Sequence, residues 1–220
     1  MIYVNGDGFA AASYAVTPYS WANQDETYHL HGTLPHPKNL NVSFSNRLGL
    51  ALHQPVRTEA YELALYERVF TQIENVLKLD VQYMVISWPS FFRSTVEVDG
   101  VTYTFRFLDI ENYSYPANVK AAMRSKMGSI KTKESYQNFQ EKCGELCDLL
   151  DKRKIKYSMM MGENKLPFDV TFGKWFLDPK EATVQSWAED NQFLNDFGFL
   201  SENGHKELGK LLIVHLTNQL

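Results

Sequence analysis

The chain has 220 residues and a formal net charge of −4 at pH 7. This length suits one α/β domain, and the excess of acidic side chains argues against a nucleic-acid-binding surface. No apolar run reaches membrane-spanning length and no basic leader precedes the first residues, so we expect neither a membrane segment nor a signal peptide. Cys143 and Cys147 are four residues apart and poorly placed for a disulfide, which fits a reducing compartment.

The chain opens on an apolar run at residues 2–4, followed by the turn sequence Asn5, Gly6, Asp7 and Gly8. A run that ends in a glycine turn predicts the first strand of an α/β sheet. Open α/β sheets bind their ligands at the carboxyl ends of their strands, where this turn would lie. Many enzymes carry a nucleophile at such a turn, but Gly8 at its tip has no side chain that can react.

Residues 13–40 are rich in proline and polar side chains and predict a long loop, a kind of segment that often carries function. The loop contains His29, His31 and His36, with carboxylates close by in the sequence. One hypothesis is therefore a metal site in this loop, although three histidines at this spacing are a weak metal signal. The other is an ordinary polar loop, and we expect no metal and no other cofactor.

The spacing of apolar residues predicts the remaining elements in chain order. A helix ends at Gly49, a second strand covers 50–56, and an amphipathic helix begins at Thr58 as its N-cap. The later elements are a strand at 81–88, a β-hairpin at 94–98 and 101–107, helices at 117–127 and 134–152, a strand at 155–161, and a final helix capped by Ser201 that packs Leu208, Leu211 and Leu212.

The alternation of strands and helices predicts one three-layer α/β/α domain over residues 1–220, with a mainly parallel sheet. The hairpin near 94–107 interrupts this alternation, so we interpret it as an insertion. Cys143 falls on the apolar stripe of the helix at 134–152, which predicts a core position for its side chain.

Three segments, at 2–9, 59–93 and 200–208, resemble conserved blocks of SGNH/GDSL-type hydrolases. The first is similar to the strand and N-G-D-S-F block of small bacteriophage members of that family, and the last to the block that leads into the C-terminal helix. The resemblance implies the flavodoxin-like SGNH fold. It also implies an ester hydrolase whose nucleophile is a serine and whose base is a histidine.

The residues that this resemblance places at the reacting positions differ from the family's pattern. The nucleophilic serine falls on Gly8 and the catalytic histidine on Phe199, while Asp196 takes the place of the acid. Asp7 and His205 are retained and complete what we interpret as a vestigial rim. Because acyl transfer needs both a nucleophile and a base, the resemblance implies a degenerate, inactive site.

We therefore expect a phage-encoded, catalytically inactive domain reused for binding or virion assembly, located in the host cytoplasm or in the virion. The expected partner is a protein of the virion or host, with a glycan as a second possibility, and neither a nucleic acid nor a membrane. The predicted binding residues, chosen near strand ends and in aromatic loops, are Asn5, Tyr19, Trp21, Trp88 and Arg93.

Three other functions remain open from the sequence. The first is an active ester hydrolase or deacetylase with displaced groups, drawn from Ser13, Ser87 or Ser90 together with His205. The second is glycoside hydrolysis by paired acids at Asp7 and Asp196. The third is metal-assisted chemistry by the loop histidines.

Overall fold

The computed structural model describes residues 1–19, 35–62, 64–112, 114–129 and 132–219. The strands are β1 (Ile2–Gly6), β2 (Val56–Thr58), β3 (Tyr83–Trp88), β4 (Arg93–Val98), β5 (Val101–Arg106) and β6 (Lys156–Met161). The helices are α1 (Pro37–Val42), α2 (Phe44–Leu52), α3 (Tyr66–Val76), α4 (Ala117–Gly128), α5 (Thr132–Lys152), α6 (Val184–Asp190) and α7 (Glu202–Thr217), with a short 3-10 helix at Phe107–Asp109.

Four strands form a wholly parallel central sheet in the order β2-β1-β3-β6. This is the order of a flavodoxin-like sheet, since β6 takes the fourth position once the hairpin is set aside. Helices cover both faces of the sheet, as the burial of parallel strands requires. The prediction of a three-layer α/β/α architecture is confirmed.

Alternate residues of each strand enter two different cores, one on each side of the sheet. Tyr3 and Trp88 point toward α3 and α5, where Phe139 and Cys143 of α5 are also fully buried. Ile2 and its neighbours on the other face pack against α2, α6 and α7. The prediction of Cys143 as a core residue is confirmed, and the structure gives both cysteines as free thiols.

The hairpin of β4 and β5 is confirmed as an insertion with its own small core. Asp99 and Gly100 at its turn both have positive φ, as the tight turn of a two-residue hairpin requires. Phe105 and Ile110 pack there against Val119 of α4, apart from the two sheet cores. The insertion therefore forms a separate wall beside the sheet.

The predicted strand at 50–56 and the predicted helix start at Thr58 are wrong. Helix α2 continues past Gly49 and ends where His53 adopts a left-handed conformation. Thr58 belongs to β2, and Glu59 N still donates to Val4 O of β1. Helix α3 begins only at Tyr66 because the sheet takes the backbone groups that a helix would need.

The final helix is confirmed with its predicted cap, since Ser201 Oγ accepts from Gly204 N at 3.2 Å. Leu208 and Leu212 are fully buried, as predicted. The prediction that Leu211 packs is wrong, because 45% of it remains exposed on the outer face of α7. Within the described residues, every helix is too short or too polar to cross a bilayer.

The outer edge of β6 is occupied by other parts of the chain. The Gln219 side chain accepts from Tyr157 N at 3.1 Å and donates to Tyr157 O at 2.6 Å. Two residues along, Met159 N donates to Lys174 O and Met159 O accepts from Phe176 N. The outward backbone groups of both residues are therefore hydrogen-bonded.

Phe139 should be one of the most sensitive core positions, because its ring contacts Phe70, Trp88 and Phe91 at centroid distances of 4.9–6.1 Å. We expect Phe139→Ala to lower the free energy of unfolding by about 3–5 kcal/mol, measured by chemical denaturation. Leu79→Ala, at a position 49% exposed, serves as the control and should change stability by less than about 0.5 kcal/mol. Equal effects of the two changes would contradict the assigned core.

Candidate functional site

A cleft of about 550 Å³ lies at the carboxyl ends of the parallel strands. Loops that follow β1, β2 and β6 contribute Phe9, Glu62 and Glu163, and the inserted hairpin supplies the facing wall. The described lining consists of Phe9, Tyr14, Glu62, Arg93, Arg106, Asp109, Asn112, Tyr115, Glu163, Gln185, Phe197, Gly198 and Phe199. The position is the one at which open α/β sheets bind ligands.

The position after Asp7 has no room for any side chain. A Cβ atom built on Gly8 would lie 2.4 Å from Cε1 of Phe199, far inside van der Waals contact. The Phe199 ring is held there by Phe9 and Tyr14, at centroid distances of 5.4 and 5.3 Å. Gly8 and Phe199 are therefore in direct contact, and the ring fills the space into which a side chain at position 8 would project.

Asn195 fixes the loop that carries this ring. Its Oδ1 accepts from Phe197 N at 3.0 Å and Phe199 N at 3.1 Å, and its Nδ2 donates to Tyr14 O at 3.0 Å. Asn195 N also donates to Phe199 O across the turn. One side chain thus ties the loop after β1 to the loop before α7, which are about 180 residues apart in the chain.

An ion-pair network forms the opposite side of the cleft. Arg93, whose side chain is 1% exposed, pairs with Glu163 and donates to the backbone oxygen of Glu62. Arg106 forms salt bridges with Glu163 and Asp109, with nitrogen–oxygen distances of 3.3 and 2.5 Å. Because both arginines already face carboxylates, this wall carries little unbalanced charge.

Asp7 lies beneath the cleft and is fully buried. Its Oδ1 accepts from Ser87 Oγ at 2.8 Å and from Phe9 N at 3.1 Å, while Oδ2 has no hydrogen-bond partner in the described structure. Burial raises the pKa of this carboxyl to about 7, against a smaller opposing effect of Arg93. Asp7 therefore stabilises the turn from below, and its side chain does not reach the lining.

His205 and Asp196, the other two residues of the predicted vestigial rim, do not line the cleft. His205 is fully buried beside α2, where its Nδ1 accepts from Phe44 N at 3.4 Å, and burial lowers its pKa to about 3. Asp196 is exposed at the turn and outside the described lining. The interpretation of His205 and Asp196 as rim residues is corrected, since one packs in the core and the other faces solvent.

Of the predicted binding residues that the structure describes, one lines the cleft and the others are buried or lie elsewhere. Arg93 lines the cleft, whereas Asn5 is fully buried and hydrogen-bonded to Tyr3 and Gln72. Trp88 is enclosed between Phe70 and Phe139, so neither it nor Asn5 is accessible to a partner. Tyr19 is 50% exposed but outside the described lining of the cleft. Trp21 lies outside the described residues.

The described structure offers no support for a metal site at the loop histidines. His29 and His31 lie outside the described residues. His36 caps α1, where its Nδ1 accepts from Lys38 N at 3.3 Å. Across the part of the chain that the structure describes, no three or more His, Cys, Asp or Glu side chains are placed to hold a metal ion.

Several cleft residues were missed from the sequence. Glu163 comes two residues after the predicted strand at 155–161, and this position near a strand end was a usable signal. Tyr14 and Phe197 lay in segments without periodicity, so nothing marked them as neighbours. Asp109 and Asn112 belong to the insertion, whose orientation over the sheet is set by packing and not by any local motif.

Comparison with known proteins gives one structural likeness. No protein-family model and no curated protein matches this chain. A solved structure from Desulfitobacterium hafniense DCB-2, assigned to the lipolytic G-D-S-L family, aligns over 98% of this chain and 98% of its own, with 11% sequence identity and a TM-score of 0.45. The chemistry of the cleft itself must therefore indicate what the protein does.

The contact between Gly8 and Phe199 can be tested by a double-mutant cycle. We expect Gly8→Ala to destabilise the protein by about 1–3 kcal/mol, because the added methyl overlaps the ring, and to have little effect in a Phe199→Ala background. Gly144→Ala, at a helical position with open space around it, is the matched control and should be neutral or stabilising. Additive effects of the two changes, measured by urea denaturation, would show that the residues are not in contact.

Asp7 should make stability depend on pH. Between about pH 4 and pH 7 the folded protein keeps this carboxyl protonated while the unfolded chain ionises it, so stability falls as pH rises. We expect Asp7→Asn, which mimics the neutral form, to gain stability over the wild type across this range. Denaturation at a series of pH values measures the difference, and exposed Asp196→Asn is the control. A difference that does not change with pH would contradict the buried, neutral carboxyl.

Proposed function

We propose that this protein is an SGNH/GDSL-hydrolase-like domain without hydrolytic activity, which uses the cleft at the carboxyl ends of its strands to bind another molecule. The observation that carries the proposal is the contact between Gly8 and Phe199. An aromatic ring fills the space that a nucleophilic side chain would need. Loss of the nucleophile alone removes most of the catalytic power of a triad.

The described lining of the cleft also lacks a general base of the kind that a serine hydrolase uses. It contains no histidine, and no serine, threonine or cysteine. His205, the retained histidine of the resembling block, is buried with a pKa of about 3 and lies beside α2. These features support binding over acyl transfer.

The alternative, an active ester hydrolase or deacetylase with displaced groups, has less support. Ser87 Oγ donates to Asp7 at 2.8 Å, but both side chains are fully buried under the turn. Ser90 Oγ accepts from Phe92 N, and its side chain is also buried. Among the described residues, neither serine hydroxyl is hydrogen-bonded to a histidine that would accept its proton.

The resemblance at the chain ends supports two further parts of the proposal. We infer that the protein is encoded by a bacteriophage and acts in the virion or in the host cytoplasm. Its partner there is either a protein of the virion or host, or a glycan. Phe197, which is 56% exposed at the edge of the cleft, is an aromatic side chain available for such a contact.

An esterase assay tests the absence of catalysis. We expect no turnover above the uncatalysed rate on short p-nitrophenyl esters or on acetylated sugars, because no nucleophile and base meet in the described cleft. Ser87→Ala and Ser90→Ala should behave as the wild type does. Turnover that either change abolishes would establish the displaced hydrolase instead and overturn the proposal.

A further inference from the structure

One wall of the cleft is aromatic. Four rings contact one another in the order Phe9, Phe199, Tyr14 and Phe197. Tyr14 and Phe197 are stacked, with ring centroids 4.8 Å apart and an angle of 21° between the rings. The outer ring, Phe197, leaves 56% of its surface exposed beside the cleft. Phe9 and Phe199 are tilted at 46° and Tyr14 and Phe199 at 39°, so the flat part of this apolar wall is the stacked pair of Tyr14 and Phe197.

The aromatic wall is preorganised at an energetic cost. Ala12 and Tyr14 both adopt positive φ values, 54° and 59°, which non-glycine residues rarely do. Tyr14 is held in this conformation by the hydrogen bond from Asn195 and by its hydroxyl, which donates to Glu62 at 3.0 Å. Backbone strain of this kind clusters at active sites and ligand clamps, where it contributes to preorganisation.

The rest of the lining forms a polar wall of planar groups, which meets the aromatic wall where Glu62 accepts from the Tyr14 hydroxyl. Carboxylate, guanidinium and carboxamide side chains each present two hydrogen-bonding atoms side by side. Such pairs match the spacing of two neighbouring hydroxyl groups on a ring. The polar members of the lining are Glu62, Arg93, Arg106, Asp109, Asn112, Glu163 and Gln185.

The charge of the cleft disfavours an anionic ligand. Three carboxylates face two arginines, and both arginines already form ion pairs with Glu163. A phosphate or sulfate would have to displace one of these carboxylates. The volume of about 550 Å³ lies within the range of small-molecule sites. The ligand that fits is therefore uncharged, ring-shaped, apolar on one face and rich in hydroxyls.

We propose that the cleft binds a neutral saccharide, with one sugar ring stacked on Phe197 and its hydroxyls hydrogen-bonded to the polar wall. The inference rests on the proposed non-hydrolytic binding function and names the ligand class. It selects the glycan over the protein as the partner. A free oligosaccharide and a surface polysaccharide both present this chemistry.

The test uses the full chain, labelled and applied to an array of neutral, sialylated and sulfated glycans, with affinities of the bound glycans measured by calorimetry. We expect neutral glycans to bind, and Phe197→Leu to weaken them about three- to tenfold, because leucine keeps apolar surface but cannot stack. Phe197→Trp should retain binding. Leu211→Ala, at an exposed position on α7 away from the cleft, is the control and should leave affinity unchanged.

Several outcomes would overturn the inference. One is binding to no neutral glycan, another is preference for the charged glycans, and a third is equal affinity of the Phe197→Leu variant. Peptides that are enriched from a random library by the wild type, but not by Phe197→Ala, would identify a protein segment as the occupant if no glycan binds. Esterase turnover would refute the proposed non-hydrolytic function. If the protein shows no turnover and binds no glycan, only the proposed ligand class is refuted.

Discussion

The buried carboxyl of Asp7 is the contact on which the carboxyl edge of the sheet depends. It accepts from Ser87 of β3 and from the backbone of the turn after β1, while its Oδ2 lies where a Cβ on Gly162 would be, 1.6 Å away. Three central strands therefore converge on one side chain at their ends. Because the carboxyl is neutral up to about pH 7, this convergence does not require a buried negative charge.

The cleft follows from that convergence. The turn fixed by Asp7 places Gly8 directly under Phe199, and the loop after β6 brings Glu163 to Arg93. Each wall is then held by contacts between distant parts of the chain, the aromatic wall through Asn195 and the polar wall through ion pairs. A cleft whose sides are held by such contacts, and whose described lining contains no serine, threonine or cysteine, is suited to recognition.

The architecture was predictable from the sequence because it depends on apolar periodicity, which is local. The strands at 83–88 and 156–161, the hairpin and the capped last helix all have strong local patterns. The segment around Thr58 was misassigned because a short apolar stretch suits a strand or a helix equally, and pairing with β1 decided between them. Only the family resemblance marked Gly8 and Phe199 as positions of interest. That the two residues touch depends on packing and could not be predicted from the sequence.

The composition of the cleft was much less predictable. Tyr14 and Phe197 lie in irregular segments and Asp109 ends a short 3-10 helix, and no spacing rule relates the three to one another. Trp88 and Asn5 were expected at a surface because they lie near the ends of strands, yet helices cover both faces of the sheet and bury both side chains. Position at a strand end thus indicates where a site lies, whereas only the packed loops decide which side chains face it.

The side chain of Gln219 has a consequence for how this protein behaves in concentrated solution. Its amide forms hydrogen bonds with both outward backbone groups of Tyr157, as a neighbouring strand would. The outward backbone groups of Met159, two residues along, are hydrogen-bonded to Lys174 and Phe176. An exposed strand edge is the usual template for unwanted pairing between molecules. At β6 these backbone groups already have hydrogen-bond partners, so another strand can pair there only after the Gln219 contact breaks. The edge is therefore protected against aggregation.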